Sequence, residues 1–312
     1  MYPHASSVLA QRSRDWIVAQ APGSEIMAAT RLAGSTSSTL HRLDLRLGGG
    51  GQSWVVRQFD NAAWLEEEPD VAVHEAAALR HAADCGLPAP RLIAADTWGE
   101  ACGLPSVLMT HLEGQVVLRP TDPVGWLDEM ARALVRIHAC PAESLGWEYF
   151  SYQNLEAFGP PEWSAQREAW SEVIRIVRGP RPAYAATFIH RDFHPANLLW
   201  QGGQVSGVVD WVNACRGPAG IDLGHCRVDL AQLHGTEVAD AFLNAYLRAA
   251  GPGFRYHPYW DLLSLVDVLF GPPTVYPGWA AFGVYDLTDR LMAQRLEAYM
   301  LSLLGRAREA AC

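Results

Sequence analysis

The sequence contains no lysine, and all 24 of its basic residues are arginine. Wherever a compact ammonium would be the usual choice, this chain has to use a planar guanidinium fork. It also lacks any run of 18 apolar residues, and its opening "MYPHASSVLAQRSRDW" has no apolar stretch leading to a small-residue cleavage site. Neither a membrane span nor a secretory signal is indicated, so a cytoplasmic location is expected. The six cysteines (Cys85, Cys102, Cys140, Cys215, Cys226, Cys312) form no C-x-x-C pair. That argues against a zinc site or a disulfide framework and fits free thiols. A basic excess is missing too: with a formal charge of −10, nucleic acid and anionic membrane are not expected partners.

What is present describes a folded enzyme-sized chain. Hydrophobic residues make up 49% and charged residues 19%, which argues against extended disorder, and 312 residues suit one large domain or two lobes. In the first third, "LHRLDLRL" (40–47) alternates Leu43, Leu45 and Leu47 with Asp44 and Arg46. "SWVVRQF" (53–59) follows across "GGGGQ", a hairpin signal. "DVAVHEAAALRHAADCG" is alanine-rich and closed by Gly86 and Pro88, so it reads as a helix, and "RLIAAD" and "PSVLMTHL" read as strands. The expectation is a five-stranded antiparallel sheet with one helix.

From about Glu113 the periodicity becomes helical. "TDPVGWLDEMARALVRIHACP" has Asp122 as N-cap, Pro123 in the first turn and Leu127, Met130, Leu134 and Ile137 along one face. "EWSAQREAWSEVIRIVRG" predicts a second helix striped by Trp163, Trp170, Ile174 and Val177. Further helices are expected near 221–233, 236–250, 258–269 and 286–306.

Between these helices lies "FIHRDFHPANLLW", strand, polar loop and strand, then "GG" and "QVSGVVDW". Asp192 is followed by Asn197 on the same loop, and Asp210 ends the next apolar strand. Phosphoryl transfer needs a carboxylate to orient and deprotonate the accepting hydroxyl, and oxygen ligands for the Mg²⁺ that bridges nucleotide phosphates. Asp192, Asn197 and Asp210 supply those parts, and His190 suits a scaffold that holds the loop. Such triples also arise as backbone caps in ordinary loops. The further signal is "GPAGIDLG", which carries Asp222 into a helix.

Together "HRDFHPANLLW", "GVVDWVNACRGPAGIDLG", "HEAAALRHAADCGLPAPRLIAAD" and "ALVRIHACP" resemble the aminoglycoside phosphotransferase and choline-kinase-like family. These are small-molecule kinases of protein-kinase-like fold, and the likeness covers about residues 25 to 250. The resemblance implies an α+β, bilobal architecture: an N-lobe over 1–112 with a five-stranded antiparallel sheet plus helix, and a mainly helical C-lobe over 113–312. It implies Asp192 as catalytic base, Asn197 and Asp210 as Mg²⁺ ligands, His190 as loop scaffold and Asp222 as the acid bracing the loop. Glu75 matches the helix glutamate that pairs with a basic residue of the third strand. Gly34, Ser35, Thr36, Ser37 and Ser38 lie where a turn covers the phosphates, and Met109, Thr110 and Leu112 lie in the linker that reads the base.

The implied activity is transfer of the γ-phosphoryl of ATP, or GTP, with Mg²⁺ to a hydroxyl of a small molecule, either an antibiotic of aminoglycoside or macrolide type or a metabolite alcohol. Two departures qualify it. Arg57 stands where the third strand usually has lysine, which leaves open a catalytically silent nucleotide-binding module. "LAGSTSST" has one glycine in place of a G-x-G-x-x-G set. Trp211 and Val212 follow Asp210 where a protein kinase has Phe-Gly, and no A-P-E segment follows, so a protein substrate is not expected. "GHC" (224–226) reads as packing, and Trp260 and Trp279 read as core, with room for one or two tail aromatics at an acceptor pocket.

Overall fold

The computed structural model describes residues 9–311 apart from Thr36. The chain runs α1 (Gln11–Ala19), β1 (Glu25–Arg31), β2 (Thr39–Leu47), β3 (Gly50–Gln58), α2 (Ala62–Glu67), α3 (Val71–Asp84), β4 (Leu92–Asp96) and β5 (Ser106–Thr110). It continues through α4 (Pro123–His138), α5 (Arg167–Val177), β6 (Ala186–Ile189), β7 (Leu198–Gln201), β8 (Gln204–Val208) and β9 (Cys215–Pro218). Last come α6 (Ala219–His234), α7 (Thr236–Ala250), α8 (Pro258–Asp267) and α9 (Asp289–Ala311). Five strands form one antiparallel sheet in the order β1-β2-β3-β5-β4, and β6 with β9 and β7 with β8 make two small ribbons.

Period-two alternation decides what each face of the large sheet carries. On one face Trp54 and Val56 of β3 join Leu43, Leu45 and Leu108, and Ile17 of α1 closes the cluster. On the other, Val55 and Phe59 meet Leu79 of α3, Val107 and Met109 in the main core. Arg57 falls on this second face because it pairs in register with Leu40 of β2 and Val107 of β5. The register therefore buries a guanidinium against α3, and Arg57 is only 2% exposed.

The sequence expectation of a single helix in this part needs correction, because α1 and α2 flank the sheet as well as α3. Helix α1 has nine residues, too few to be stable alone, and it forms because it covers the outer sheet face. The fifth strand, which no segment had been assigned to, is the mostly exposed edge strand β1, "EIMAATR", whose alanines carry little strand preference. The hairpin turn falls at Gly48 and Gly49, both with positive φ, so β3 starts inside the glycine run. Helix α5 begins at Arg167, later than expected, and Trp163 lies in the preceding turn, edge-on to Trp170 with centroids 6.1 Å apart.

In the C-terminal part, Asp122 caps α4 by accepting the Gly125 N–H at 3.1 Å, with Pro123 in the first turn. Leu127, Met130, Leu134 and Ile137 are all buried, which contributes about 1.5–3 kcal/mol each. Helix α6 is buried around most of its circumference, Asp222 and Arg227 included, and packs against α7, α8 and α9. Its glycines permit close contact with α8: a Cβ on Gly224 would stand 2.9 Å from Ser264 Cβ, and one on Gly220 would stand 2.6 Å from the Trp260 ring. The five described cysteines are free, and Cys312 lies outside the described residues. Among the described residues no helix is long and apolar enough to cross a membrane.

Candidate active site

The polar loop is built from behind by Asp222, in the first turn of α6. Its two carboxylate oxygens accept the backbone N–H groups of His190 (2.7 Å) and Arg191 (2.6 Å). Burial pushes the His190 imidazole below its ordinary value, against the pull of Asp222, Asp192 and Asp210. The neutral ring donates from Nε2 to Val209 O at 2.9 Å, tying the loop to the segment that carries Asp210. Arg191 adopts φ 67°, a costly conformation for a residue with a side chain. It is held there by donation to Phe150 O at 2.6 Å and by the rings of Phe150 and Tyr152, about 4 Å from the guanidinium carbon.

These restraints deliver Asp192 to the surface of a cleft. Asn197, at the end of the 3-10 turn that Pro195 opens, donates from Nδ2 to Asp192 O (2.9 Å) and Asp192 Oδ2 (3.1 Å). With its nitrogen spent on Asp192, the Asn197 amide keeps Oδ1 as a hard oxygen donor. Asp192 Oδ1 faces His225 Nε2 at 3.2 Å and His194 Nε2 at 3.8 Å. Burial would raise the Asp192 carboxyl, but the imidazoles of His194, His225 and His190 outweigh it and hold it well below the usual carboxylate range.

Across the cleft, Arg57 Nη1 bridges Glu75 Oε1 (2.9 Å) and Asp210 Oδ1 (2.6 Å), and Nε donates to Ser38 Oγ (2.8 Å). Burial opposes the Arg57 charge, but Asp210 and Glu75 override it and raise the guanidinium above its ordinary value. Burial pushes the Glu75 carboxyl up against the pull of Arg57. Its Oε2 is buried without a hydrogen-bond partner among the described residues. Asp210, like Arg191, has φ 67°, in the left-handed region that aspartate tolerates better than most residues.

A cavity of about 340 Å³ lies under the sheet. Gly34, Ser35, Ser37, Arg57 and Glu75 border it on one side, Met109, Thr110 and Leu112 at its edge, and Asp192, Asn197 and Asp210 on its floor. Ser38 reaches this group through Arg57, whereas Thr36 lies outside the described residues. The Thr110 N–H is taken by Arg91 O at 2.9 Å, so this residue closes the sheet as well as edging the cavity. A second cavity, of about 600 Å³, is lined by Asp192, His194, His225, Asp229, Gln232 and Tyr276. Asp192, His194 and Tyr276 border both.

His225 is a correction to the sequence reading, which had taken "GHC" as packing. Its ring faces the second cavity and ion-pairs with Asp192 and, at 3.6 Å, with Asp229. The signal was available: Asp222, His225 and Asp229 are spaced i, i+3 and i+7, one helical face. Of the tail aromatics, Tyr276 borders both cavities and Phe282 the first, while Trp260 and Trp279 are buried. Among the described residues no cluster of three or more His, Cys, Asp or Glu side chains forms a metal cage. Asn197 Oδ1 and the Asp210 carboxylate, both bordering the first cavity, could serve Mg²⁺ only together with phosphate oxygens and water.

Three comparisons bear on this geometry. The chain is 28% identical over 163 residues to a homoserine kinase of Chelativorans sp., covering 47% of this chain and 48% of that protein. It is 27% identical over 190 residues to the N-acetylmuramate/N-acetylglucosamine kinase of Caulobacter vibrioides, covering 53% and 52%. The chain thus spans about half the length of the curated relatives it matches. Among solved structures, an aminoglycoside phosphotransferase in ternary complex with ADP and hygromycin B superposes with a TM-score of 0.60 at 14% identity, over 95% of this chain and 99% of that one, a likeness of fold. The model of the phosphotransferase enzyme family matches residues 29–262, a span that takes in β2 through the first half of α8 and includes Arg57, Glu75, Asp192, Asn197, Asp210 and His225, while Tyr276 lies beyond it. On that match, the chain belongs to the phosphotransferase enzyme family.

Proposed function

We propose that this protein transfers the γ-phosphoryl group of a nucleoside triphosphate, ATP or GTP, to a hydroxyl of a small molecule. The observation that carries the reading is the meeting of the two cavities at Asp192. A nucleotide under the sheet and an acceptor beside α6 would approach one carboxylate from opposite sides. In-line transfer needs that placement, because nucleophile, phosphorus and leaving oxygen must align.

Each residue then has a task. Leu40, Val55 and Leu199 offer an apolar slot to the base, and Met109, Thr110 and Leu112 edge it. Arg57 reaches phosphate oxygens while Glu75 holds its guanidinium, and the turn of Gly34, Ser35, Ser37 and Ser38 covers them. Asn197 Oδ1 and the Asp210 carboxylate would hold Mg²⁺, which would supply charge neutralisation for the phosphates. Asp192 accepts a hydrogen bond from the acceptor hydroxyl and takes its proton as the new O–P bond forms and the bond to the β-phosphate oxygen breaks. A carboxylate held this far below its usual range is a weak base, so most of its effect is orientation, which suits a loose phosphoryl transition state.

The acceptor is either an antibiotic of aminoglycoside or macrolide type or a metabolite alcohol; a cavity of about 600 Å³ accepts molecules larger than a simple amino alcohol. The competing reading, a silent nucleotide-binding module, draws on the Arg57–Asp210 bond, which occupies one carboxylate oxygen of the residue that would hold the metal. The test incubates the protein with Mg²⁺ and γ-labelled ATP or GTP against a panel of hydroxyl compounds, with hydrolysis to water as the acceptor-free control. Labelled product, or slow Mg²⁺-dependent hydrolysis that Asp192→Asn abolishes, supports the enzyme. Tight nucleotide binding with neither reaction across the panel supports the silent module.

A further inference from the structure

We infer that His225, held by Asp229, is the positioning residue that orients and neutralises the Asp192 carboxylate on the acceptor side. The inference rests on the kinase reading above and adds to it a residue pair from one face of α6. Three features lead to it. His225 Nε2 is 3.2 Å from Asp192 Oδ1 and 3.6 Å from Asp229 Oδ2, so one ring nitrogen serves both carboxylates. All three side chains border the acceptor cavity, where water alone would otherwise screen two like charges. The opposite oxygen of Asp192, Oδ2, is already engaged by Asn197 Nδ2, so the carboxylate plane is fixed from both ends.

The electrostatics follow from that arrangement. Groups facing His225 are Asp192 and His194 from the loop, Asp222 and Asp229 from its own helix, and Asp267 from α8. Burial disfavours the imidazolium, but the bond to Asp192 and the charges of Asp192, Asp229 and Asp222 raise it to about 9. Asp229 is pushed the other way: burial raises its carboxyl, with Asp192 adding to the rise and His194 and His225 opposing it. Without the imidazolium, Asp192 and Asp229 would be two like charges bordering one cavity. His225 thus holds the Oδ1 end of Asp192 as Asn197 holds the Oδ2 end, and the carboxylate plane is set toward the cavity.

A purely packing role for His225 makes different predictions. Under the positioning role, His225→Gln lowers kcat by about 10- to 100-fold with nucleotide affinity unchanged. Wild type loses activity as pH rises through about 9. Asp229→Asn moves that alkaline limb to lower pH, and His225→Gln lacks it. Turnover of His225→Gln within threefold of wild type, or an alkaline limb that His225→Gln keeps unchanged, overturns the inference.

A second measurement needs no turnover: the His225 ring is titrated by NMR in the full chain, in wild type and in Asp192→Asn. A raised pKa that falls toward the ordinary histidine value in Asp192→Asn supports the pairing. An ordinary value in both proteins overturns it. Absence of any transfer by wild type, with the NMR result intact, would instead count against the kinase reading and leave the pair standing.

Discussion

Arg57 and Asp210 are bonded across the cleft at 2.6 Å, joining the third strand of the sheet to the segment beyond the polar loop. The same guanidinium also holds Glu75 and, through Nε, Ser38. A lysine ammonium has its donors at one point and could not reach Ser38 from the side of the chain while meeting both carboxylates. Arginine in this strand therefore adds a tie to the turn that carries Ser38.

That triple tie sets the outcome of substitution. Arg57→Lys should retain transfer while nucleotide Kd rises about tenfold, since the phosphate cradle keeps a cation but the Ser38 tie is lost. Arg57→Ala should abolish measurable transfer and destabilise the fold by about 3–5 kcal/mol, because Glu75 is left buried and unpaired. Nucleotide calorimetry and urea unfolding check the two parts separately.

Replacing the base tests the loop directly. Asp192→Asn should preserve nucleotide affinity and lower turnover by about 10²- to 10⁴-fold. Steady-state kinetics beside a binding isotherm decide it, and turnover within threefold of wild type would remove Asp192 from the role.

Asp210→Ala should weaken Mg²⁺-dependent nucleotide binding, since the phosphates lose a metal ligand. In the absence of Mg²⁺ the effect should shrink or reverse, because Arg57 is freed from its bond to Asp210. Titrating nucleotide with and without Mg²⁺ distinguishes these cases, and equal losses in both would count against a metal ligand here.

Helix α6 offers a structural test. Gly224→Ala puts a Cβ 2.9 Å from Ser264 Cβ and 2.5 Å from Ser264 Oγ, so α6 and α8 must separate. A loss of about 1–3 kcal/mol is expected, with a lower melting temperature. Because Asp222 rides on α6, turnover should fall more than nucleotide affinity does.

Stability should also report the His225 pair. Its folded-state value is raised to about 9 from an ordinary value near 6.5. The contribution is therefore fully present below about pH 6.5 and is lost as pH rises through about 9. Urea midpoints at pH 6 and pH 10 should differ more in wild type than in His225→Gln. Equal differences in the two proteins would show that other groups cause the dependence.

Much of this arrangement was legible in the residues. Asp192, Asn197 and Asp210 stood out as polar residues on or beside one loop between apolar strands, a pattern that backbone caps also make; Glu75 and Arg57 were indicated only by the family resemblance, and the structure brings all five to one cavity. What was hidden depended on tertiary contact. Helix α1 shows little periodicity of its own and exists through the sheet face it covers. Strand β1 is an exposed edge held by pairing with β2. His225 lies on a mostly buried helix, where a histidine looks like packing until the loop is folded against it.

The guanidinium at the cleft also decides what reagents can find this protein. Nucleotide analogues that acylate amines mark kinases through the ammonium beside the phosphates, and here that position holds Arg57 in a chain with no side-chain amine at all. Such a probe would occupy the cleft and depart without forming a bond, because a guanidinium that stays protonated is a poor nucleophile. A survey based on amine capture would pass over this protein even where it is abundant and active, whereas an arginine-directed dicarbonyl, with nucleotide as protectant, would be the matching chemistry.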